Sequence, residues 1–397
     1  MKIVFLHTDF RVYWLPRLKF LGDFLKARGH ELFILEIAGK GSPYAFSSSR
    51  LDNETCSWEC LFPEHTMNEL CPKRIRETIF RRLDGLKPDI VFAGAIAYPS
   101  GAAAVNYCRR RRIPVVIFDN ARMADVQRSG VTNFIKRQIY ANVDGMLIPA
   151  PSHDPDYLAW GVDAGKFYYG LNIVDNRYWA ELARKNRETP ESYPDQFLLG
   201  TGRQVPKKNW LNFLKAYDHS GIALPLLLVG NGPERKILEE YIEAQNLRNR
   251  VFLIDFLTPE KLAPLYAKAI AVILPSLHGE TWGLTVNEAM ACKTPVLVSR
   301  QCGCCETLCI DSKTGLSFEP TIRDMVRVLR QFEQLTPEER TEMGNRAFQL
   351  IQHWGTERFA NSVLQATEDL TSRKAPGFHS FLSRMIILLW KGRYRPI

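Results

Sequence analysis

The sequence predicts an α/β protein built from two doubly wound domains, and three observations carry that reading. Short β-rich apolar runs alternate with stretches of helical periodicity nearly from end to end, the pattern of parallel strands joined by crossover helices. The alternation is interrupted by a polar interval from Asn172 to Asp195 and then restarts, which places a connection between domains there. Two such domains in tandem are expected to leave a central cleft onto which the C-terminal ends of both sets of strands open.

The elements follow in order. Lys2 to Leu6 (KIVFL) reads as a buried strand; Leu15, Leu18, Leu21, Phe24 and Leu25 recur at helical spacing, and Gly29 stands where a helix ends. Further strands are ELFIL (Glu31 to Leu35), DIVFAG (Asp89 to Gly94), PVVIFD (Pro114 to Asp119) and GMLIPA (Gly145 to Ala150), with a polar stretch at Gly39 to Thr55 and a basic amphipathic segment at Pro72 to Leu86. The second half opens with FLLGTG (Phe197 to Gly202). Helical segments at 210–217, 234–244 and 259–267 then separate the strands LPLLLVG (Leu224 to Gly230), VFLIDF (Val251 to Phe256) and the run from Ala269 to Leu274. A loop with Gly279 and Gly283 leads to a helix beginning near Leu284 and to the run Pro295 to Val298. After Asp311 the periodicity is helical, at 325–335, 337–351 and 356–370.

Composition narrows the class. A chain of 397 residues, 46% hydrophobic and 24% charged, is globular and neither disordered nor fibrous. The net charge of +9 calls for a partner of opposite sign, and nucleic acid, acidic lipid and a phosphorylated substrate all fit. No apolar run approaches the roughly 20 residues of a membrane-spanning helix, and the first residues, MKIVFLHTDF, lack a cleavable leader's small-residue site. Nine cysteines, an odd number, read as reduced cytoplasmic thiols. The cluster Cys302, Cys304, Cys305 and Cys309 lacks the paired C-x2-C knuckles of a zinc ribbon, so no metal is assigned.

The chemistry gathers in the second half. Gly200-Thr201-Gly202-Arg203 follows a strand, and Lys208 stands five residues beyond Arg203, next to Lys207. A guanidinium and an ammonium at a strand end can clamp a diphosphate, although a solvated basic turn fits this segment taken alone. The helix start at Gly283 offers free backbone N–H groups to an anion. Two carboxylates stand eight residues apart, Glu280 mobile in the loop and Glu288 held on the helix. Gly230-Asn231-Gly232-Pro233 lacks the third glycine of a dinucleotide fingerprint, because Arg235 occupies that place.

These residues resemble the retaining GT-B glycosyltransferases of family 4, the group 1 glycosyl transferases. The likeness rests on Arg203 with Lys208, on VGNGPE (Val229 to Glu234), on Glu280 and Glu288 within HGETWGLTVNEAMACKTPVLVS, and on Glu306 and Thr314-Gly315-Leu316. The resemblance implies two Rossmann-like domains, an acceptor domain over 1–180 and a nucleotide-sugar domain over 190–355, with helices of 356–397 packing back on the first. It implies that Arg203 and Lys208 hold the donor diphosphate with the N–H groups of Gly283, Leu284 and Thr285, that Glu288 takes the ribose hydroxyls, and that Glu280 contacts the sugar. No cofactor and no metal are then required. The implied activity is retaining transfer from a nucleotide-diphosphate sugar to a glycan or lipid-linked acceptor, in surface polysaccharide or glycolipid synthesis, with no nucleic acid as partner.

The chain also departs from the pattern. His7-Thr8-Asp9-Phe10-Arg11 replaces a Gly-Gly loop, Asp119-Asn120 stands near the place of a histidine, and Lys293 replaces a glycine where a left-handed residue costs on the order of 1 kcal/mol. Asp119 is a candidate sugar contact or proton acceptor, or else a strand-end cap. Without glycine, His7 to Arg11 argues against a dinucleotide-dependent epimerase or dehydrogenase. Asp154-Pro155-Asp156 spells a metal-binding D-x-D string but reads as a turn and helix start. A non-enzymatic nucleotide- or nucleic-acid-binding protein of the same fold is the rival.

Two regions bear on location, expected to be cytoplasmic or peripheral on the inner face of the cell membrane. Lys73, Arg74, Arg76, Arg81, Arg82 and the run Arg109 to Arg112 fit either a solvated face or an anionic membrane surface. The tail FLSRMIILLWKGRYRPI fits either a final helix docked on a domain or an interfacial helix on acidic lipid.

Overall fold

The computed structural model describes residues 1–10, 13–40, 56–185, 193–390 and 392. The chain forms two compact units, the first of Met1–Asn120, Arg128–Ile173 and Thr356–Ile397, the second of Ala121–Gln127 and Val174–Gly355.

In the first unit β1 (Lys2–His7), α1 (Trp14–Lys26), β2 (Glu31–Ala38), β3 (Ser57–Phe62), α2 (Pro72–Leu86) and β4 (Ile90–Gly94) are followed by α3 (Pro99–Arg111) and β5 (Val115–Phe118). Then come α4 (Gly130–Tyr140), β6 (Gly145–Ile148), α5 (Asp154–Ala159) and β7 (Phe167–Tyr169). The strands form one parallel sheet in the order β3-β2-β1-β4-β5-β6-β7. Helices cover both faces, so the central strands β4, β5 and β6 are buried throughout and read as unbroken apolar runs. Phe5 on β1 and Phe92 on β4 are register partners whose rings stack with centroids 4.8 Å apart. The edge strands β3 and β7 were not among the expected elements. SWECLF on β3 is half-exposed, and its Glu59 pairs with Arg82 at 2.5 Å, so neither strand shows a clean apolar signature. Most of the polar stretch expected at Gly39 to Thr55 lies outside the described residues.

The second unit contains α6 (Asn176–Lys185), β8 (Leu198–Thr201), α7 (Trp210–Ser220), β9 (Leu226–Val229), α8 (Arg235–Ala244), β10 (Val251–Ile254), α9 (Pro259–Lys268) and β11 (Ala271–Leu274). It continues with α10 (Leu284–Ala291), β12 (Val296–Ser299), α11 (Cys305–Leu308), β13 (Gly315–Phe318), α12 (Ile322–Glu333) and α13 (Pro337–Ile351). Its parallel sheet has the order β10-β9-β8-β11-β12-β13. Each sheet therefore reverses direction beside its first strand, between β1 and β4 and between β8 and β11. Loops leaving those neighbouring strand ends diverge to opposite faces and open a crevice, the place where ligands bind in such sheets.

The boundary between the units differs from the expected one. The chain changes unit at 173/174 and not between 180 and 190, because the polar interval contains the amphipathic helix α6. Asn176 Nδ2 donates to the Ile351 carbonyl at 2.7 Å, and Trp179 lies edge-on to Tyr266, tying α6 to the second unit. The chain returns to the first unit with α14 (Thr356–Thr371) and α15 (Phe381–Leu389). Phe359, Ala360, Val363 and Ala366 of α14 enter the first core beside Phe5, and α15 packs on α3 and α4. Asp154 and Asp156 stand in the first turn of α5, where Asp154 accepts from the Tyr169 hydroxyl at 2.9 Å. Lys293 adopts φ 65°, the left-handed conformation its position demands.

The basic runs of the first unit are largely structural. Arg109 is buried and forms an ion pair with Asp144, whose carboxylate also accepts from the Val115 N–H at 2.8 Å. Arg111 pairs with Asp84 at 2.8 Å, and Arg74 stacks over Phe62. These side chains are not a uniformly solvated face. Removing one partner of a buried pair strands the other's charge, so Arg109→Ala is expected to cost about 3–5 kcal/mol in urea denaturation. Truncating the neighbouring Arg110 should cost less than about 1 kcal/mol.

Candidate functional site

At the β8/β11 reversal of the second sheet, β8 ends in Thr201-Gly202 and passes into Arg203, Gln204 and a short 3-10 turn over Pro206–Lys208. Its shape is fixed from below. Gly230, after β9, has φ 138°, and a Cβ there would stand 2.0 Å from the Gly202 carbonyl oxygen, so only glycine lets the two loops touch. Gln204 bridges them, its Nε2 donating to the Gly230 carbonyl at 2.9 Å and its backbone N–H to that of Asn231 at 2.9 Å. The VGNGPE segment thus acts here as a floor for the Arg203 loop. Asn209 Nδ2 donates to the Pro275 carbonyl at 3.1 Å and the Leu277 N–H to that of Lys207 at 2.9 Å, joining this loop to the one after β11.

That junction brings Lys208 and Glu280 together. The Lys208 ammonium forms an ion pair with the Glu280 carboxylate, which also accepts from the Ser276 hydroxyl at 3.2 Å; the two charged side chains are 12% and 18% exposed. Glu280, expected to be mobile in its loop, is held. The backbone holds it too, since its carbonyl accepts from the Gly303 N–H at 2.9 Å. One residue earlier, the Gly279 N–H donates to Asp125 Oδ1 at 3.0 Å. Asp125 lies in the 121–127 segment of this unit, where Arg122 also donates to the Gln301 carbonyl at 2.6 Å.

Arg203, Lys207 and Lys208 crowd one loop. Burial lowers the Lys207 ammonium below its ordinary range, with Arg203 and Lys208 adding to the effect and Glu280 and Asp125 opposing it. An arriving anion would relieve that crowding. Gly283 has φ 118° and immediately precedes α10, where a Cβ would stand 2.5 Å from the Leu274 side chain. Leu284 and Thr285 follow in the first turn, whose N–H groups have no partner within the helix, and Thr285 Oγ1 is buried with no hydrogen-bond partner.

Glu288 occupies the second turn of α10 and is 6% exposed. The Tyr266 hydroxyl of α9 donates to it at 2.8 Å and lies 3.1 Å from Thr201 Oγ1, so three elements form one buried polar chain. Burial pushes the Glu288 carboxyl up to about 7, and the Tyr266 hydrogen bond only partly opposes this.

In the first unit Asp119 follows β5 directly and is 7% exposed; its carboxylate accepts from the Tyr140 hydroxyl at 2.9 Å. His7, at the end of β1, is within electrostatic reach of Asp119 and Asp9, yet burial pushes its imidazole down to about 4. Its Nδ1 is buried with no hydrogen-bond partner. The thiols of Cys302, Cys305 and Cys309 point at the carbonyls of Leu274, Val298 and Val296 at 3.8–4.0 Å, and among the described residues no His, Cys, Asp or Glu group has the geometry to hold a metal.

Lys207, Ser276, Tyr266 and Asp125 were not singled out by sequence reasoning. Lys207 was visible beside Lys208, whereas Tyr266 reads as helix core. Asp125 lies 154 residues from Gly279 and carries no local signal.

Residues 183–350 match the family described as glycosyl transferases group 1. An uncharacterized glycosyltransferase of Bacillus subtilis, YqgM, is 28% identical over 146 residues, 36% of this chain and 40% of that protein. The O-antigen chain mannosyltransferase B of Escherichia coli is 32% identical over 108 residues, 26% of this chain and 28% of that protein. The chain therefore aligns with less than half the length of either relative. Among solved structures, Anabaena HepE in complex with UDP superposes with a TM-score of 0.74 at 16% identity, over 93% of this chain and all of that one. The architecture is GT-B, two Rossmann-like parallel sheets, and all donor-side candidates lie within the group 1 stretch.

The Glu288 environment yields a stability test. Because the folded-state carboxyl is raised from its ordinary 4.5 to about 7, the folded state keeps a proton that the unfolded chain releases. Stability is unpenalised below 4.5, falls as pH rises toward 7 and stays lower above it, by on the order of 3 kcal/mol. Glu288→Gln, which keeps an acceptor for Tyr266, should raise the melting temperature above neutrality and leave it unchanged in acid, as read by thermal melts across pH.

Proposed function

We propose that the protein is a retaining glycosyltransferase that moves a sugar from a nucleoside diphosphate sugar to a glycan or lipid-linked acceptor without a metal ion. The observation that carries this reading is the Lys208–Glu280 pair at the β8/β11 reversal, with Arg203 and Lys207 on the same loop. Breaking the bond between the sugar and the diphosphate leaves negative charge on the phosphate oxygens, and preorganised cations stabilise that charge as it develops. Arg203 and Lys208, with the N–H groups of Gly283, Leu284 and Thr285, hold the diphosphate; Lys207 adds to the field. Glu288 accepts from the ribose hydroxyls, and Glu280 contacts the donor sugar.

The acceptor oxygen attacks the anomeric carbon from the face that the diphosphate leaves, and its proton passes to the departing phosphate. Glu280 is tied to Lys208 and Ser276 and is not assigned as a covalent nucleophile. Asp119 and His7 mark the acceptor side in the first unit. Similarity to an O-antigen mannosyltransferase supports surface polysaccharide or glycolipid synthesis as the setting.

Isothermal titration with UDP, GDP and ADP tests the reading, and binding to none of them would overturn it. Lys208→Ala and Glu288→Ala are each expected to weaken nucleotide binding about tenfold or more, the loss of a charge-assisted contact. Glu280→Gln should leave binding equal or tighter, because Lys208 is released from its partner, while turnover falls by about a hundredfold; undiminished turnover would remove Glu280 from the chemistry. Hydroxyl donors favour the ionised form of Glu288, so nucleotide binding should release a proton. Affinity is then expected to rise as pH approaches 7 and to level off above it, with a binding enthalpy that depends on the buffer's ionisation heat.

A further inference from the structure

Helix α15 is docked on one side and bare on the other. Ser383 and Ile387 face inward and are buried, Ser380 caps the first turn through the Ser383 N–H at 3.0 Å, and the Trp390 indole donates to the Ile96 carbonyl at 2.7 Å. The opposite stripe holds Phe381 at 77% exposure, Leu382 at 51%, Met385 at 38% and Leu389 at 71%. The helix α4, against which α15 packs, adds Val131 at 70% and Phe134 at 47%. Elsewhere among the described residues, exposed large apolar side chains come only one or two to a segment. A concentration of this kind marks a contact surface.

The charge around it selects the occupant. From Gly377 to Trp390 the sequence has Arg384 and no acidic residue; α4 and its flanks from Val126 to Asn142 have Arg128, Lys136 and Arg137 and again no acid. Lys136 is turned inward over the Trp160 ring, while Arg384 and Arg137 are exposed. A second copy of this face would set like charges against each other. An anionic lipid surface offers both the apolar interior and the counter-charge.

We infer that the outward faces of α15 and α4 form a membrane-docking surface for bilayers rich in anionic lipid. The docking surface leaves out the basic residues of α2 and α3, several of which are paired with Glu59, Asp84 and Asp144. It belongs to the first unit and the donor-site residues to the second, so it can hold or fail independently of the transferase reading.

Vesicle flotation of the full chain tests it. With phosphatidylcholine vesicles containing phosphatidylglycerol, the protein should float at low salt and less as salt is raised; with phosphatidylcholine alone it should float weakly. Leu389→Glu and Phe381→Glu, both at exposed positions, should each lower partitioning by about tenfold or more while UDP titration and melting temperature stay unchanged. Lys73→Glu on α2 should leave partitioning within about twofold. Failure to float, or equal flotation of wild type and both α15 variants, overturns the inference. Concentration-dependent dimerisation abolished by Leu389→Glu, with no flotation, would assign the face to a second copy instead.

Discussion

Opposite charges on two neighbouring strand ends organise the second unit. Parallel order places β8 beside β11 although many residues separate them in the chain, and the loops that leave these strands carry Lys208 and Glu280. Burying such a pair seldom stabilises a protein, because the desolvation of both ions offsets their attraction. The pair is better understood as keeping the loop's cations from repelling each other until an anion takes one of them. Asn209, Leu277 and Gln204 fix the backbone so that the charges meet, and the Asp125 carboxylate adds a tie from a distant segment.

The two carboxylates of the group 1 stretch differ because their surroundings differ. Glu280 lies beside a cation and a hydroxyl; Glu288 lies in a desolvated pocket with a tyrosine hydroxyl as donor, where its proton is held to near neutrality. Eight residues of separation put one in a loop and the other on the second turn of a helix. Surroundings that differ in this way suit the two carboxylates to the two roles proposed above, one close to the reacting sugar and one reading the nucleotide.

Residue type alone misleads elsewhere. Arg109 belongs to a basic run in the sequence and to a buried ion pair in the fold. The cysteines around Cys305 form a cluster in the sequence and are buried in the fold, with the thiols of Cys302, Cys305 and Cys309 turned to carbonyls of β11 and β12. The tail docks as a final helix through Ser383 and Ile387, while its opposite stripe stays bare. Nine residues of helix suffice for one buried face and one bare face.

Local pattern determined the α/β class, most of the central strands and the donor-side candidates, because fully buried parallel strands leave uninterrupted apolar runs and because Arg203, Lys208, Glu280 and Glu288 stand at spacings set by strand, loop and helix. The edge strands β3 and β7, the unit boundary at 173/174 and helix α6 escaped it, since half-buried elements mix polar and apolar residues without a clean period. Only the tertiary structure decided that Lys208 and Glu280 meet, that Tyr266 faces Glu288, and that Asp125 reaches Gly279. Each of these contacts joins residues far apart in the chain, and their proximity follows from sheet order and loop packing, which no stretch of sequence encodes by itself.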